Sequence, residues 1–351
     1  MSSPVPFLGK DRPYEKDRPR VRLAAHLPLD VPFSVQIDPS SLCNFRCPFC
    51  PTGHPDLLSQ VGRGRGQLLD FGLYEKLIGE LRAFPRPLKT LALHKDGEPL
   101  LHPRLPEMAA MARDAGVADK IVLLTNGALL SREKSSALLR AGVDVIRISV
   151  EHVHEAGYRE RTKTFSDYER IVANVRALRE ERDRLGSRLH IGAKIIDLGL
   201  SEADQETFAR DFGPLCDEVG RTTAQGWSYS ELFDFTLGTR PEVSLDGRTP
   251  LKPGRVVCPF PFYTLAVNAN GLVSPCSDDW AQKAIIGDAN SESLLEIWNG
   301  PRLAEFRRMH LAGRRGENPA CRNCQCVLGA PEDCDLDGER VRLDGIFGAA
   351  P

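Results

Sequence analysis

Hydrophobic and polar positions alternate in two rhythms along this chain. Phe33, Val35 and Ile37 stand between polar neighbours, the period-two pattern of a strand. Leu73, Leu77 and Leu81 then recur at helical spacing behind Asp70, a residue suited to cap a helix start. The same change of rhythm repeats. "TLALHKDGEP" predicts a strand over Thr90 to His94 and a turn, and "LPEMAAMARDAG" a helix ending at Gly116. "KIVLLTNG" reads as a buried strand, "SREKSSALLRAG" as a capped helix ending at Gly142, and "VDVIRISV" as a strand. A long amphipathic helix is expected from Ser166 to Leu185, then the strand "LHIGAKIIDL", the helix "SEADQETFARDFG" and a weaker strand from Glu218 to Gln225.

Six strand-helix units of this kind fold as parallel strands with helical crossovers, in a barrel or an open doubly wound sheet. The unusual residues cluster at strand ends: the cysteine loop, "HKDGEP", "TNG", "SVEH", "KIID" and "QGW". Loops after the strands carry the active site in barrels, so the expected fold is α/β, a partial (β/α)6 barrel. The rhythm breaks near residue 232 and turn residues multiply, as in "RPEVSLDGRTPLKPGRVV". The chain therefore divides into an irregular arm over 1–32, a barrel over 33–232 and a smaller loop-rich domain over 233–351.

Composition removes several classes. The 351 residues carry a net charge of −2, which leaves no basic footprint for nucleic acid. Arg63-Gly-Arg65 and Arg314-Arg315 are expected in solvated loops. No apolar run approaches a membrane span, and the polar, Pro-rich N-terminus lacks a signal-peptide core. A cytoplasmic location is expected. Ten cysteines in a reducing compartment favour metal or redox chemistry over disulfides.

Cys43, Cys47 and Cys50 fall within eight residues on the loop after the first strand. Three thiolates can hold three irons of a cubane cluster and leave the fourth iron open. Two other readings compete: a thioredoxin-type pair at Cys47-Pro-Phe-Cys50, against which Cys43 argues, and structural zinc with a distant fourth ligand.

"CNFRCPFC" resembles the CxxxCxxC signature of the radical S-adenosylmethionine (radical SAM) enzymes, with Phe49 as the aromatic before the last cysteine. The resemblance covers about residues 34 to 230. It implies a partial barrel, a [4Fe–4S] cluster on Cys43, Cys47 and Cys50, and S-adenosylmethionine chelating the open iron. Cleavage of that cofactor then gives a 5′-deoxyadenosyl radical that takes hydrogen from a substrate. "DGEP" (Asp96, Gly97, Glu98, Pro99) looks like the family's GGEP motif, with Asp96 in place of its first glycine. The resemblance places Asp96 and Glu98 near the cofactor's ammonium, and Asn126, Ser149 and Lys194 near its ribose and carboxylate.

Cys258-x17-Cys276 and Cys321-x2-Cys324 resemble the SPASM and shorter twitch extensions of these enzymes. That implies one auxiliary [4Fe–4S] cluster on Cys258, Cys276, Cys321 and Cys324; a four-cysteine zinc site fits the same spacing. Cys326 and Cys334 depart from the full SPASM pattern and leave open a second auxiliary cluster. Cys216 reads as a buried small hydrophobe. One of these three cysteines could instead donate a hydrogen atom to a substrate radical.

An auxiliary cluster that accepts an electron makes the net reaction a two-electron oxidation of a carbinol to a ketone, which needs a base. Asp278 and Asp279 beside Cys276, or Glu151 and His152 at a strand end, are the candidates. The family acts on aminosugars and aminocyclitols of aminoglycoside biosynthesis, or on peptides. Residues 1–32 look too short and Pro-rich for a leader-binding domain, so a polar small-molecule substrate is expected. An electron donor such as flavodoxin or ferredoxin completes the set. A redox-neutral epimerase or dehydratase, a peptide-modifying enzyme, and a non-enzymatic cluster or zinc scaffold are the alternatives.

Overall fold

The computed structural model describes residues 21–64, 66–164, 167–244 and 249–348. Most of the expected arm, Arg65 and the expected helix start Ser166 lie outside them. Among the described residues nine strands, numbered in chain order, form one sheet in the order β6-β5-β4-β3-β2-β1-β7-β8-β9. The first six are β1 (Ser34–Ile37), β2 (Thr90–Ala92), β3 (Ile121–Thr125), β4 (Val145–Val150), β5 (His190–Asp197) and β6 (Glu218–Thr223), each parallel to its neighbour. The end strands β6 and β9 do not pair, so the sheet curls without closing.

The crossover helices begin and end where local chemistry requires. The helix Phe71–Leu81 starts at Asp70, whose Oδ1 accepts the N–H of Leu73 at 2.9 Å. The helix Glu202–Phe212 opens with a capping box between Ser201 and Asp204. The helix Tyr168–Leu185 stops at Gly186, which adopts a positive φ of 61° that a side chain would oppose.

Period two sorts the strands into two faces. Leu123, Ile146, Ile148, Ile191 and Ile195 face the helices and are buried in one continuous core. On the other face Leu124, Arg147, Gly192 and Glu218 stand side by side in register, with Ser149, Lys194 and Gly220 in the next row. That inner face is the polar one, and it holds a cavity.

The pattern reading missed several elements. The short helices Pro55–Gln60 and Glu155–Thr162 follow the first and fourth strands. More consequential is β7 (Thr264–Val267), from the cysteine-rich segment, which pairs parallel with β1 from Ser34↔Thr264 to Ile37↔Val267. Two short antiparallel strands, β8 (Leu272–Ser274) and β9 (Gly287–Asp288), continue the sheet. The C-terminal segment thus extends the barrel sheet at its β1 edge.

Candidate active site

The cysteine loop leaves β1 and folds against the "DGEP" turn. A Cβ on Gly97 would lie 2.2 Å from the Leu42 carbonyl oxygen and 2.3 Å from that of Ser40, so only glycine fits. The next N–H, of Glu98, donates to the same Leu42 oxygen at 2.8 Å. Glu98 is 2% exposed and spends its carboxylate on the following loop. Oε1 accepts from Leu100 N–H at 3.0 Å and Thr125 Oγ1 at 2.7 Å, and Oε2 from Asn126 N–H at 2.8 Å. Glu98 is therefore a bracket between two strand ends, with both carboxylate oxygens engaged within the protein. Asn126 donates to Asn44 Oδ1 at 2.8 Å and approaches Cys43 Sγ at 4.0 Å.

Asp96 is held by Lys95 at 2.8 Å and by Arg63 at 2.7 Å, all three side chains nearly buried. Arg63 also donates to the Trp280 carbonyl at 2.7 Å, so it is a buried bridge and no solvated loop residue. Arg315 likewise donates to the Cys321 carbonyl, while Arg314 stays outside in an ion pair with Glu317. Asp38, fully buried at the end of β1, receives the Asp96 N–H at 3.4 Å. Burial, with the nearby Asp96 charge, raises the Asp38 carboxyl to about 7.

Cys43, Cys47 and Cys50 lie close together: Cys50 raises the pKa of both Cys43 and Cys47, and Cys43 that of Cys47, behind the larger effect of burial. Burial alone takes most of the rise of Cys43, to about 12. Phe45 N–H lies 3.4 Å from Cys43 Sγ, and the Thr52 hydroxyl 3.1 Å from Cys50 Sγ. Phe49 packs against the core and its carbonyl accepts from Trp227 Nε1 at 3.2 Å. Glu151 is buried beside these thiols and raised to about 7 by burial, against the pull of Lys194 and Arg161. Ser149 stands in register with Lys194.

The second cysteine set also converges. Cys258 feels Cys324 and Cys321, and Cys276 feels Cys258 and Cys321. His310 is fully buried between them. Its Nδ1 accepts Cys258 N–H at 3.4 Å, which leaves Nε2–H to face Cys321 Sγ at 3.6 Å. Burial depresses this imidazole to about 3, so it stays neutral. The sequence pattern offered no sign of His310. Cys326 lies against Cys324 and Asp278. Cys216 and Cys334 pack against the core.

These donors fit clusters better than single ions. Tetrahedral zinc at about 2.3 Å from each sulfur needs sulfurs about 3.8 Å apart. Among the described residues no three cysteines bring their sulfurs within 4.8 Å of one another; the group that does so is His152, His154 and Asp204. N–H groups directed at the sulfurs, from Phe45, Asn126 and His310, are a recurring means of tuning iron-sulfur clusters.

The histidine group is a poor metal site. Nδ1 of His152 accepts Val153 N–H at 2.9 Å and Nδ1 of His154 accepts Gly157 N–H at 3.1 Å. With Nδ1 accepting a backbone N–H in each ring, neither has an Nδ1–H to donate to an acceptor behind it, as a metal-bound imidazole does. His152 packs on His154 and under Gly157, and does not line the cavity described next. Asp279, fully buried, accepts from Ser274 Oγ at 2.9 Å, Lys283 N–H at 2.8 Å and Ala284 N–H at 3.0 Å. It holds the loop after Cys276 together and has no oxygen left for a substrate. Asp279, like His152, is not among the residues that line that cavity.

A cavity of about 340 Å³ lies between the inner face of the sheet and the C-terminal segment, within the size range of small-molecule sites. His94, Arg147, Lys194, Glu218 and Arg221 line it from the strands, and Asp278 and Cys326 from the C-terminal segment. Asp278, 8% exposed and raised by burial, is the one expected catalytic residue in its wall.

The comparisons agree with this geometry. The model of the radical SAM superfamily matches residues 37–195, and that of an iron-sulfur cluster-binding domain, SPASM, matches residues 258–325. The chain thus carries a radical SAM domain and a SPASM domain, families whose cofactors are S-adenosylmethionine and [4Fe–4S] clusters. It is similar to the S-adenosyl-L-methionine-dependent 2-deoxy-scyllo-inosamine dehydrogenase of Niallia circulans, 22% identical over 87% of this chain and 98% of that protein. GTP 3′,8-cyclase of Chlorobaculum tepidum is 34% identical over 33% of this chain and 32% of its own. Among solved structures, BtrN in complex with AdoMet and 2-DOIA superposes with a TM-score of 0.55 at 19% identity, covering 86% of this chain and 98% of that one. Streptococcus suis SuiB bound to S-adenosylmethionine gives 0.60 at 14% identity, over 87% and 74%.

Proposed function

We propose that the chain is a radical SAM dehydrogenase that oxidises a carbinol of a polar small molecule, an aminocyclitol or aminosugar, to a ketone. The cavity carries the reading. One wall bears Lys194, within electrostatic reach of Glu151 at the loop cysteines. The opposite wall bears Asp278 and Cys326 beside the auxiliary cysteines. A substrate of aminocyclitol size would touch both walls at once. The relative from Niallia circulans, aligned over nearly its whole length, is named for oxidation of such a molecule.

When bound, the cofactors supply a 5′-deoxyadenosyl radical on one side and a one-electron acceptor on the other. The protein supplies position and polarity. Cys43, Cys47 and Cys50 would hold the first cluster, and Cys258, Cys276, Cys321 and Cys324 the auxiliary one. The Asp96–Gly97 backbone, Asn126, Ser149 and Lys194 would hold S-adenosylmethionine, with Glu151 behind Lys194. Asp278 would accept a hydrogen bond from a substrate hydroxyl or ammonium at the auxiliary wall. A carrier of the flavodoxin or ferredoxin class would deliver the electron. Among the described residues no helix is long and apolar enough to cross a membrane.

One observation favours a second reading: the thiol of Cys326 in the cavity wall could return a hydrogen atom and make the reaction redox-neutral. The test is direct. Reconstituted protein is incubated with S-adenosylmethionine, reductant and 2-deoxy-scyllo-inosamine. Ketone formed in step with 5′-deoxyadenosine supports dehydrogenation. Solvent deuterium in an unoxidised product, lost in Cys326→Ala, supports the second reading instead.

A further inference from the structure

We infer that His94 is the group that accepts the proton of the carbinol hydroxyl in this cavity. The inference rests on the dehydrogenase reading and adds the residue that it lacks.

His94 stands two residues beyond β2 and lines the cavity together with Arg147, Lys194 and Asp278. The ring leans on the Val122 backbone carbonyl. Its Nδ1 is buried and has no partner in the protein. A folded core seldom leaves such an atom unsatisfied, and a ligand group that completes it is a recognised explanation. The earlier candidates are placed less well: Asp279 and His152 are engaged elsewhere, Glu151 stands at the loop cysteines, and Asp278 is taken up by Cys326.

The surroundings keep the ring neutral. Burial, then the charges of Arg147 and Lys194, depress His94 to about 4. Glu218 and Arg221 on β6, Asp278 on the C-terminal segment and Lys95 next in the chain are further charged groups around the site. At neutral pH the Nδ1 lone pair is thus available. Removal of the carbinol C–H hydrogen leaves a carbon radical that still bears its hydroxyl. A bound auxiliary cluster would supply the one-electron acceptor; as that electron is lost the O–H bond would break, the Nδ1–H bond would form and C=O would result. The hydroxyl becomes strongly acidic as the electron leaves, so a weak base suffices. The flanking cations favour later release of the proton.

His94→Gln keeps an N–H for the Val122 carbonyl and removes the basic nitrogen. Wild type and variant are reconstituted and given 2-deoxy-scyllo-inosamine. We expect 5′-deoxyadenosine formation and substrate affinity by equilibrium dialysis within about threefold of wild type, and ketone per 5′-deoxyadenosine reduced about 100-fold, as for a general base. His94→Ala should regain ketone formation with added imidazole. A wild-type ketone ratio in His94→Gln overturns the proposal. So does loss of iron and affinity in that variant without imidazole rescue of His94→Ala, which marks a structural role. Wild-type protein that cleaves S-adenosylmethionine but makes no ketone instead overturns the dehydrogenase reading, and the proposal with it.

Discussion

A methyl group on Gly97 would lie 2.2 Å from the carbonyl oxygen of Leu42, the residue just before the first cysteine of the loop. Both contacting groups are backbone, so neither can swing aside. Gly97→Ala should push the cysteine loop off the turn, costing about 1–3 kcal/mol as overpacking does. Iron assay after reconstitution should show loss at the loop cluster, with the auxiliary cluster retained.

The two cysteine sets make separable sites. Wild type should bind about eight irons per chain and the Cys43/Cys47/Cys50→Ala triple variant about four, one cubane having been removed. Cys326→Ala should keep about eight, because four other cysteines already converge on the auxiliary site. A loss of irons in Cys326→Ala would make it a ligand.

Asp38 gives a pH signature. Its carboxyl is raised to about 7 in the folded protein, above the ordinary carboxylate range. The folded state therefore binds a proton that the unfolded state has lost, and stability falls as pH rises from about 4 to about 7. Asp38→Asn should flatten that part of the slope, seen as a smaller change in Tm between pH 5 and pH 8 than in wild type.

Arg63 ties the helix after the cysteine loop to Asp96. Breaking a buried ion pair costs about 3–5 kcal/mol when nothing replaces the partner. Lys95, 2.8 Å from Asp96, remains in Arg63→Ala, so the loss should sit near the lower figure. Denaturant unfolding measures it, and an unchanged midpoint would return Arg63 to the role of a solvated residue.

What could be read from the sequence was local. Asp70, Ser131, Ser201 and Gly186 sit where capping chemistry requires, so helix limits were legible. The cysteine loop and "DGEP" were legible because their spacing is the chemistry. The parallel pairing of β7 with β1 was not, since it joins residues some 230 apart and "TLAV" lies among turn residues. Arg63 reads as a loop residue until Asp96, far along the chain, is folded against it. Asp279 and Asp278 look equivalent on paper; only the direction in which each carboxylate points separates a loop bracket from a cavity wall. His94 lay inside a motif already noticed, and its value lies in an unsatisfied nitrogen that no pattern reveals.

The pairing of β1 with β7 has a last consequence. The loop bearing Cys43 follows one of these strands and the segment bearing Cys276 follows the other, and Asp38 N–H closes the ladder on the Val267 carbonyl at 2.9 Å. The spacing of the two cysteine-bearing segments is thus tied to main-chain hydrogen bonds. Side chains around the cavity can be exchanged while that spacing stays as the main chain sets it.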